Sequence, residues 1–363
     1  MRQKKLSKLN PSDFRLIINN KTTDLFYLKN KNDLEMTATN FGARVVELWT
    51  PDKDGHFDDI VLGHGTLEEY IHFEGERFLG AAIGRFGNRI ANGKFVLNGV
   101  EYQLPINDNP NSLHGGNIGF DMVVWEVVQP DDQTLEFSYL SEDGEEGYPG
   151  NLLTKMTYQL NDNNEFIITY KAKTDKTTIV NLTHHSFFNL LGEGNGSVNN
   201  HILSIYADKY LPINEAMIPT GEEAPVENTP MDFRTPITIG ERLNRKHPQL
   251  ALARGYDHNW ILNRKTDVEP QLAACVYEPV SGRTMEVRTT EPGIQFYGGN
   301  FFDGKTKGKD GKSYHFRTSF ALETQHYPDS PNHSGFPSAE LSPGEEYHHV
   351  CIYKFGTRQQ SGE

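Results

Sequence analysis

Short runs in which apolar and polar residues alternate, each closed by Gly, Pro, Asn or Asp, recur along this chain and set the strongest limit on its fold. Alternation of period two sends successive side chains to opposite faces of an extended strand, whereas a helix repeats every 3.6 residues. Phe95 and Leu97, then Val100, Tyr102 and Leu104, alternate with polar neighbours on either side of Asn98-Gly99. An Asn-Gly pair suits a two-residue hairpin loop because both positions need positive φ. Leu135, Phe137 and Tyr139 repeat the pattern. Leu153–Leu160 and Phe166–Lys173 read as two strands joined by the polar turn Asn161–Asn164, and Met285 and Val287 alternate before Pro292-Gly293. No long amphipathic helix is legible; Ile239–Asn244 offers one turn or two. The 33 Gly and 19 Pro are scattered rather than gathered into a linker. The expected fold is all-β, a large antiparallel β-sandwich formed by residues 1–363 as a single domain, with residues 1–20 as a loosely ordered extension.

Charge narrows the function. The 35 Lys+Arg stand against 49 Asp+Glu, a formal net charge of −14. Nucleic acid and anionic membrane surfaces both demand a local basic patch, and none is evident beyond Lys4, Lys5 and Lys8 at the very start. No apolar stretch reaches the length of a transmembrane helix, and Met1–Asn20 lacks the apolar core of a secretory signal. Cys275 and Cys351 cannot make a disulfide framework, so both are expected as small core residues in a reducing, cytoplasmic setting.

Four polar, turn-rich segments carry side chains that a bare loop does not need. In Gly84-Arg85-Phe86-Gly87-Asn88-Arg89 the guanidinium and amide donors suit neutral hydroxyl acceptors, although a twisted turn with surface arginines would read the same way. The spacing is neither that of a dinucleotide fingerprint nor of a P-loop. Asn107–Gly116 sets His114 before two glycines that allow close approach of backbone or ligand. In Asn181–Leu190, a strand would send His184 and His185 to opposite faces, so only one can reach a given site. Glu323 follows the apolar Phe320-Ala321-Leu322, and a carboxylate emerging from a buried strand is costly unless it is paired or put to use. Ligand spacings such as HxH or HExxH are absent, as is the GxSxG elbow of serine hydrolases, so no metal site is expected.

Taken in order, these segments resemble the aldose 1-epimerase (galactose mutarotase) family. The resemblance rests on Gly84–Phe95, Pro110–Gly116, Gly147–Leu152, Asn181–Leu190, Ala207–Gly221, Gly255-Tyr256-Asp257-His258, Glu291–Phe301 and Glu323–Tyr347, with Asn40-Phe41-Gly42-Ala43 at the opening strand. It implies the family's mutarotase-like supersandwich and the interconversion of α and β anomers of a free hexose. By the same resemblance Glu323 falls on the general base and His185 on the general acid. Asn88, Arg89, His114, Asp257 and Gln295 fall on positions that bind sugar hydroxyls or assist the chemistry. The chain departs from the family pattern at His184, where Asn is commoner, at Gly87, where Ala is commoner, and in the basic loop Gly304–Ser313.

The implied chemistry suits the residue types. A Glu ionised near neutrality and a protonated His can open and close a pyranose without metal, nucleotide or other cofactor. Activity is then expected to follow a bell-shaped pH profile, with its acid limb from the Glu and its alkaline limb from the His. Two other readings stay open: a hexose-6-phosphate mutarotase, which the basic loop would serve, and a non-catalytic carbohydrate-binding protein on the same fold. The expected partner is a small aldose sugar, and the expected assembly is a monomer or homodimer.

Overall fold

The computed structural model describes residues 5–358. Its largest element is a nine-stranded antiparallel sheet. In spatial order the strands are Glu126–Asp131, Thr134–Ser141, Leu152–Leu160, Glu165–Thr174, Tyr347–Thr357, Arg283–Thr289, Gln271–Tyr277, Ile202–Ile205 and Ile237–Thr238. Alternation fixes which face is inward: along Leu152–Leu160 every second residue is buried. Tyr158 pairs with Ile168 and Met156 with Tyr170, which keeps the buried row continuous across strands. The sequence placed this strand pair within a residue at each end, because the turn between them is chemically marked. Asn161 and Asn164 close it through backbone hydrogen bonds, with Asn164 at φ 61°.

A second layer faces the large sheet. It contains a five-stranded sheet, ordered Ala224–Pro225, Lys209–Leu211, Asp257–Ile261, Gly293–Tyr297 and Ala321–Gln325, and a four-stranded sheet over residues 25–59. One hydrophobic cluster joins the layers, with Phe137, Met156, Ile168 and Val287 on one side and Met36, Val45, Trp260, Phe296 and Leu322 on the other. Burial of this continuous apolar surface, at roughly 25 cal/mol per Å², is the main term holding the sandwich closed. The strand Tyr347–Thr357 also reaches across with polar atoms, since Tyr353 Oη donates to Leu322 O at 2.8 Å.

The hairpin expected at Asn98-Gly99 is present, with both residues at positive φ (52° and 79°) and Leu97 paired to Val100. Val100 is exposed, while Phe95 and Leu97 on the partner strand are buried. Among the described residues helix is confined to single turns such as Leu67–Ile71 and Pro248–Leu252 and a 3-10 turn at Ile239–Arg242.

Within the stretch expected as a loose N-terminal extension, residues 5–20 carry one anchored turn. Asn10 caps a 3-10 turn at Pro11–Phe14, and Phe14 is wholly buried in a cluster with Leu25, Tyr70 and Phe187. Residues 1–4 of that stretch lie outside the described residues. Cysteine is corrected in part: Cys351 is buried as expected, while Cys275 is half-buried. No helix of the described residues is long and apolar enough to cross a membrane.

Candidate active site

The site sits on the outer face of the five-stranded sheet, where two strands are buried along their whole length. Every residue of Gly293–Tyr297 and of Ala321–Gln325 is buried. Period two turns Ile294, Phe296 and Leu322 into the core and leaves Gln295, Tyr297 and Glu323 on the opposite face. Glu323 pairs with Gln295, and Asp257 with Tyr297, so the register brings polar groups from three strands together.

His185 comes from a separate short strand, Thr183–His185, paired to Ala81–Ile83. Thr183 Oγ1 donates to Thr324 O at 2.8 Å and ties this strand to the one that carries Glu323. The two histidines do point to opposite faces. His184 lies in the core, with Nε2 2.6 Å from Ser186 Oγ and Nδ1 3.3 Å from Tyr158 Oη. His185 points outward between Phe78 and Phe187, stacked on each at centroid distances of 6.0 and 4.6 Å. Its Nε2 lies 3.5 Å from Glu323 Oε1.

His114 enters from a turn at φ 51°. Its Nδ1 accepts the Asn88 backbone N–H at 3.0 Å, so the neutral ring carries its proton on Nε2. The following Gly115 is at φ 90°, and a Cβ there would lie 1.9 Å from Gly84 O, so the turn needs glycine to seat the histidine. Arg89 leans into the same space with Nε bound to Asp108 Oδ2 at 2.7 Å.

Glu323, His185, His114, Asn88, Arg89 and Asp257 line one cavity of about 500 Å³ including its open mouth. Gln295 does not line it. Its Nε2 donates to Asp257 Oδ1 at 2.7 Å, which makes it a support for the aspartate. Glu76, Phe78, Leu113, Tyr297 and Phe301 complete the wall, and the sequence reading named none of these as site residues. Tyr297 alone carried a signal, by its position two residues after Gln295 in an alternating strand.

Arg85 is not part of the cavity. Its guanidinium is buried and bonds Ser141 Oγ together with the carbonyls of Ser141, Glu142, Pro149 and Gly150. That explains the Gly-Tyr-Pro-Gly-Asn-Leu segment as an arginine receptor. The basic loop is likewise absent from the cavity wall. Lys309 is buried against Asp59, Lys312 pairs with Glu193, Lys305 with Asp303, and Lys307 bonds Ser313 Oγ.

Burial dominates the electrostatics. It pushes His185 down to about 3 and His114 well below the usual imidazole range. Burial, followed by the negative charges of Asp257 and Glu76, pushes Glu323 well above the usual carboxylate range. Asp257 and Glu76 are raised by burial as well. A buried Glu and a buried His in contact therefore both tend to neutrality, a state that differs from the ion pair only by moving one proton between them. Glu323 Oε2 has no hydrogen-bond partner in the protein, which leaves it as an acceptor for a ligand's hydroxyl group.

The family model for aldose 1-epimerase matches residues 24–354. Galactose mutarotases of Rattus norvegicus and Homo sapiens are each 45% identical to this chain, over 89% of it and over 92% and 91% of their own lengths. The aldose 1-epimerase of Escherichia coli is 38% identical over 91% of this chain and 94% of its own. Among solved structures, an aldose epimerase homologue from C. elegans superposes with a TM-score of 0.85 at 30% identity, covering 93% of this chain and all of that one. A galactose 1-epimerase from Lactobacillus acidophilus gives 0.82 at 30% identity, covering 94% of this chain and 97% of that one. With the family model matching most of the chain and relatives at 45% identity over nearly their whole length, the chain belongs to the aldose 1-epimerase family.

Proposed function

We propose that the protein is a mutarotase that interconverts the α and β anomers of free hexoses, glucose and galactose among them, in the cytoplasm. The observation that carries this reading is the buried contact between Glu323 and His185 at the cavity wall. Opening a pyranose removes a proton from the C1 hydroxyl and delivers one to the ring oxygen. Both oxygens are bonded to the same carbon, so the base and the acid that serve them must be neighbours. Two groups 3.5 Å apart meet that demand.

With sugar bound, Glu323 as carboxylate takes the hydroxyl proton and His185 as imidazolium protonates the ring oxygen. The opened sugar rotates about C1–C2, and reversal of both transfers closes the ring on the other face. Each half-reaction converts the ion pair to the neutral pair or back, so the buried site never changes its net charge. Burial, which favours neutral groups, supports the neutral pair that accompanies the open chain. His114 offers an Nε2–H and Arg89 a guanidinium to hydroxyl oxygens, while Asp257, steadied by Gln295, accepts from hydroxyl groups. Asn88 positions His114 through its backbone N–H.

The hexose-6-phosphate reading has less support. Glu76, Asp257 and Glu323 line the cavity against Arg89, which Asp108 already engages, and the lysines of residues 304–313 are tied up elsewhere. A phosphate would meet carboxyl groups. A purely binding role leaves the matched acid and base without use.

Polarimetry on freshly dissolved α-D-glucose and α-D-galactose tests the proposal. Glu323→Gln keeps the side chain's shape and is expected to lower turnover by ~10²–10⁴ with sugar binding retained. Turnover in Glu323→Gln equal to that of the unmodified protein would refute the assignment.

A further inference from the structure

Outside the catalytic cavity the fold assembles a second cluster of metal-binding residue types. Glu291, His326 and His349 each present a ligand atom, and these atoms all lie within 4.8 Å of one another. The three come from separate elements. Glu291 precedes the strand Gly293–Tyr297, His326 follows Ala321–Gln325, and His349 lies on Tyr347–Thr357. No local spacing could reveal this set, so the absence of a ligand motif in the sequence does not bear on it.

His326 Nδ1 is 2.7 Å from Glu291 Oε2, and His349 Nδ1 is 3.3 Å from Glu291 Oε1. The two imidazole rings stand nearly perpendicular, at 83° with centroids 5.2 Å apart. Glu291 is 1% exposed and is oriented by Tyr347 Oη, which donates to its Oε1 at 2.9 Å, while Thr290 Oγ1 lies 3.2 Å from His349 Nδ1. The Tyr347 hydrogen bond fixes the carboxylate's orientation, as an outer partner does at metal sites. Arg264 is nearby, but it bonds Thr290 O and pairs with Asp267, so its charge is answered locally. His326 and His349 line a separate open cavity of about 900 Å³ including its open mouth, whose wall also holds Glu340, Glu345, Glu346 and His348. This gives a cation a path in and leaves a side open to water.

We propose that Glu291, His326 and His349 form a binding site for a divalent transition metal of the zinc class, separate from the catalytic cavity. Two imidazoles and one carboxylate with an open fourth position suit tetrahedral zinc, with ligand distances of about 2.0–2.2 Å, and disfavour calcium or magnesium, which prefer oxygen ligands. Binding displaces the proton shared by His326 and Glu291, and because ligands about 2.0–2.2 Å from tetrahedral zinc stand roughly 3.3–3.6 Å apart, this 2.7 Å pair opens while the more distant donor closes. The metal joins the ends of the two strands that carry Gln295 and Glu323 to the large sheet. Its role is to hold that corner, and the chemistry at the sugar does not pass through it.

The test uses the full protein, stripped with a chelator and titrated with Zn²⁺, with Mg²⁺ as control. Calorimetry, the thermal midpoint and the visible spectrum of the Co²⁺-substituted protein are the readouts. One equivalent of Zn²⁺ is expected to bind and to raise the midpoint, with Co²⁺ giving a tetrahedral spectrum and Mg²⁺ no effect. His349→Asn, at a half-buried position, is expected to weaken Zn²⁺ by at least tenfold while mutarotation persists as proof of folding. Glu291→Gln is expected to do the same and, if it fails to fold, His326→Asn serves instead. The catalytic trio His114, His185 and Glu323 also has donor atoms within reach of one ion, so His185→Asn is the control that must leave Zn²⁺ affinity intact. Loss of binding in His185→Asn but not in His349→Asn overturns the proposal, as does a stripped protein that takes up no Zn²⁺.

Discussion

Replacing Lys309 with Met removes the charge of the basic loop that is sunk deepest into the fold. The Lys309 Nζ donates to Val46 O at 2.5 Å and Val61 O at 2.8 Å and pairs with Asp59 Oδ2 at 2.7 Å. Asp59 in turn receives the Leu48 N–H at 2.9 Å, so the pair staples the strand Arg44–Pro51 to the chain that follows Phe57–Asp59. The carboxylate holds the ammonium above the usual lysine range, and the cation keeps Asp59 from rising further under burial. Deleting one member of a buried pair strands the other; the expected cost is about 3–5 kcal/mol. With an unfolding entropy of roughly 2.1 cal/mol/K per residue over a chain of this length, the thermal midpoint should fall by about 5 °C. Scanning calorimetry on Lys309→Met, Asp59→Asn and the double variant measures it. The double variant should lose less than the sum of the singles, because each single leaves a buried partner unanswered. Sugar turnover in Lys309→Met should stay unchanged at a temperature where the variant is folded. A midpoint shift below about 1 °C, or additive losses, would refute the buried-pair account.

Three further outcomes are expected. The pH profile of kcat/KM should be bell-shaped with its limbs exchanged relative to the sequence expectation. Burial depresses His185 and raises Glu323, so falling pH disables the pair by adding a second proton at His185, and rising pH removes the shared proton from Glu323. A rate that falls as pH drops through the ordinary carboxylate range, with the protein still folded, would count against this. His184→Asn should leave turnover nearly intact but lower stability by about 1–3 kcal/mol, since it breaks contacts to Ser186 and Tyr158; denaturant melts and polarimetry separate the two effects. Acid should unfold the protein steeply. His64 and His201 are pushed by burial to about 4, and His184 and His258 to about 3. The unfolded chain therefore binds more protons than the folded one below the ordinary imidazole range, at up to about 1.4 kcal/mol per pH unit for each group. Raised carboxyls such as Asp59 offset part of this, and a thermal midpoint unchanged between pH 7 and pH 5 would refute the net sign.

The parts of the molecule legible in the sequence are those where one local rule decides. Asn98-Gly99 announces its hairpin because both φ values must be positive, and strand parity alone separates the buried His184 from the outward His185. Local rules do not reach Glu76 and Phe78, which lie in a loop of no period and meet the site only through tertiary packing. Nor do they separate Arg85 from Arg89. Both sit in one polar segment, and only the arrival of the carbonyls near residues 141–150 shows that the first is a buried strut. The basic loop misled for a related reason. Its lysines read as charges that could meet a phosphate, yet acceptors distant in sequence draw Lys309 inside.

The strand Tyr347–Thr357 lies near the end of the chain but is fifth of nine across the large sheet, bonded on one edge to Glu165–Thr174 and on the other to Arg283–Thr289. During synthesis, therefore, both of those edges wait open until residues 347–357 have left the ribosome. The large sheet cannot close progressively from the amino end. Its middle is filled last, and the Tyr353 contact beneath Leu322 that backs the Glu323 strand forms only then. Contacts so remote in sequence make folding slow, and they leave two unpaired strand edges exposed on the nascent chain. A ribosome stalled before residue 347 would hold every residue proposed for the site and no completed sheet beneath them, and such a chain exposes surface that a chaperone must cover.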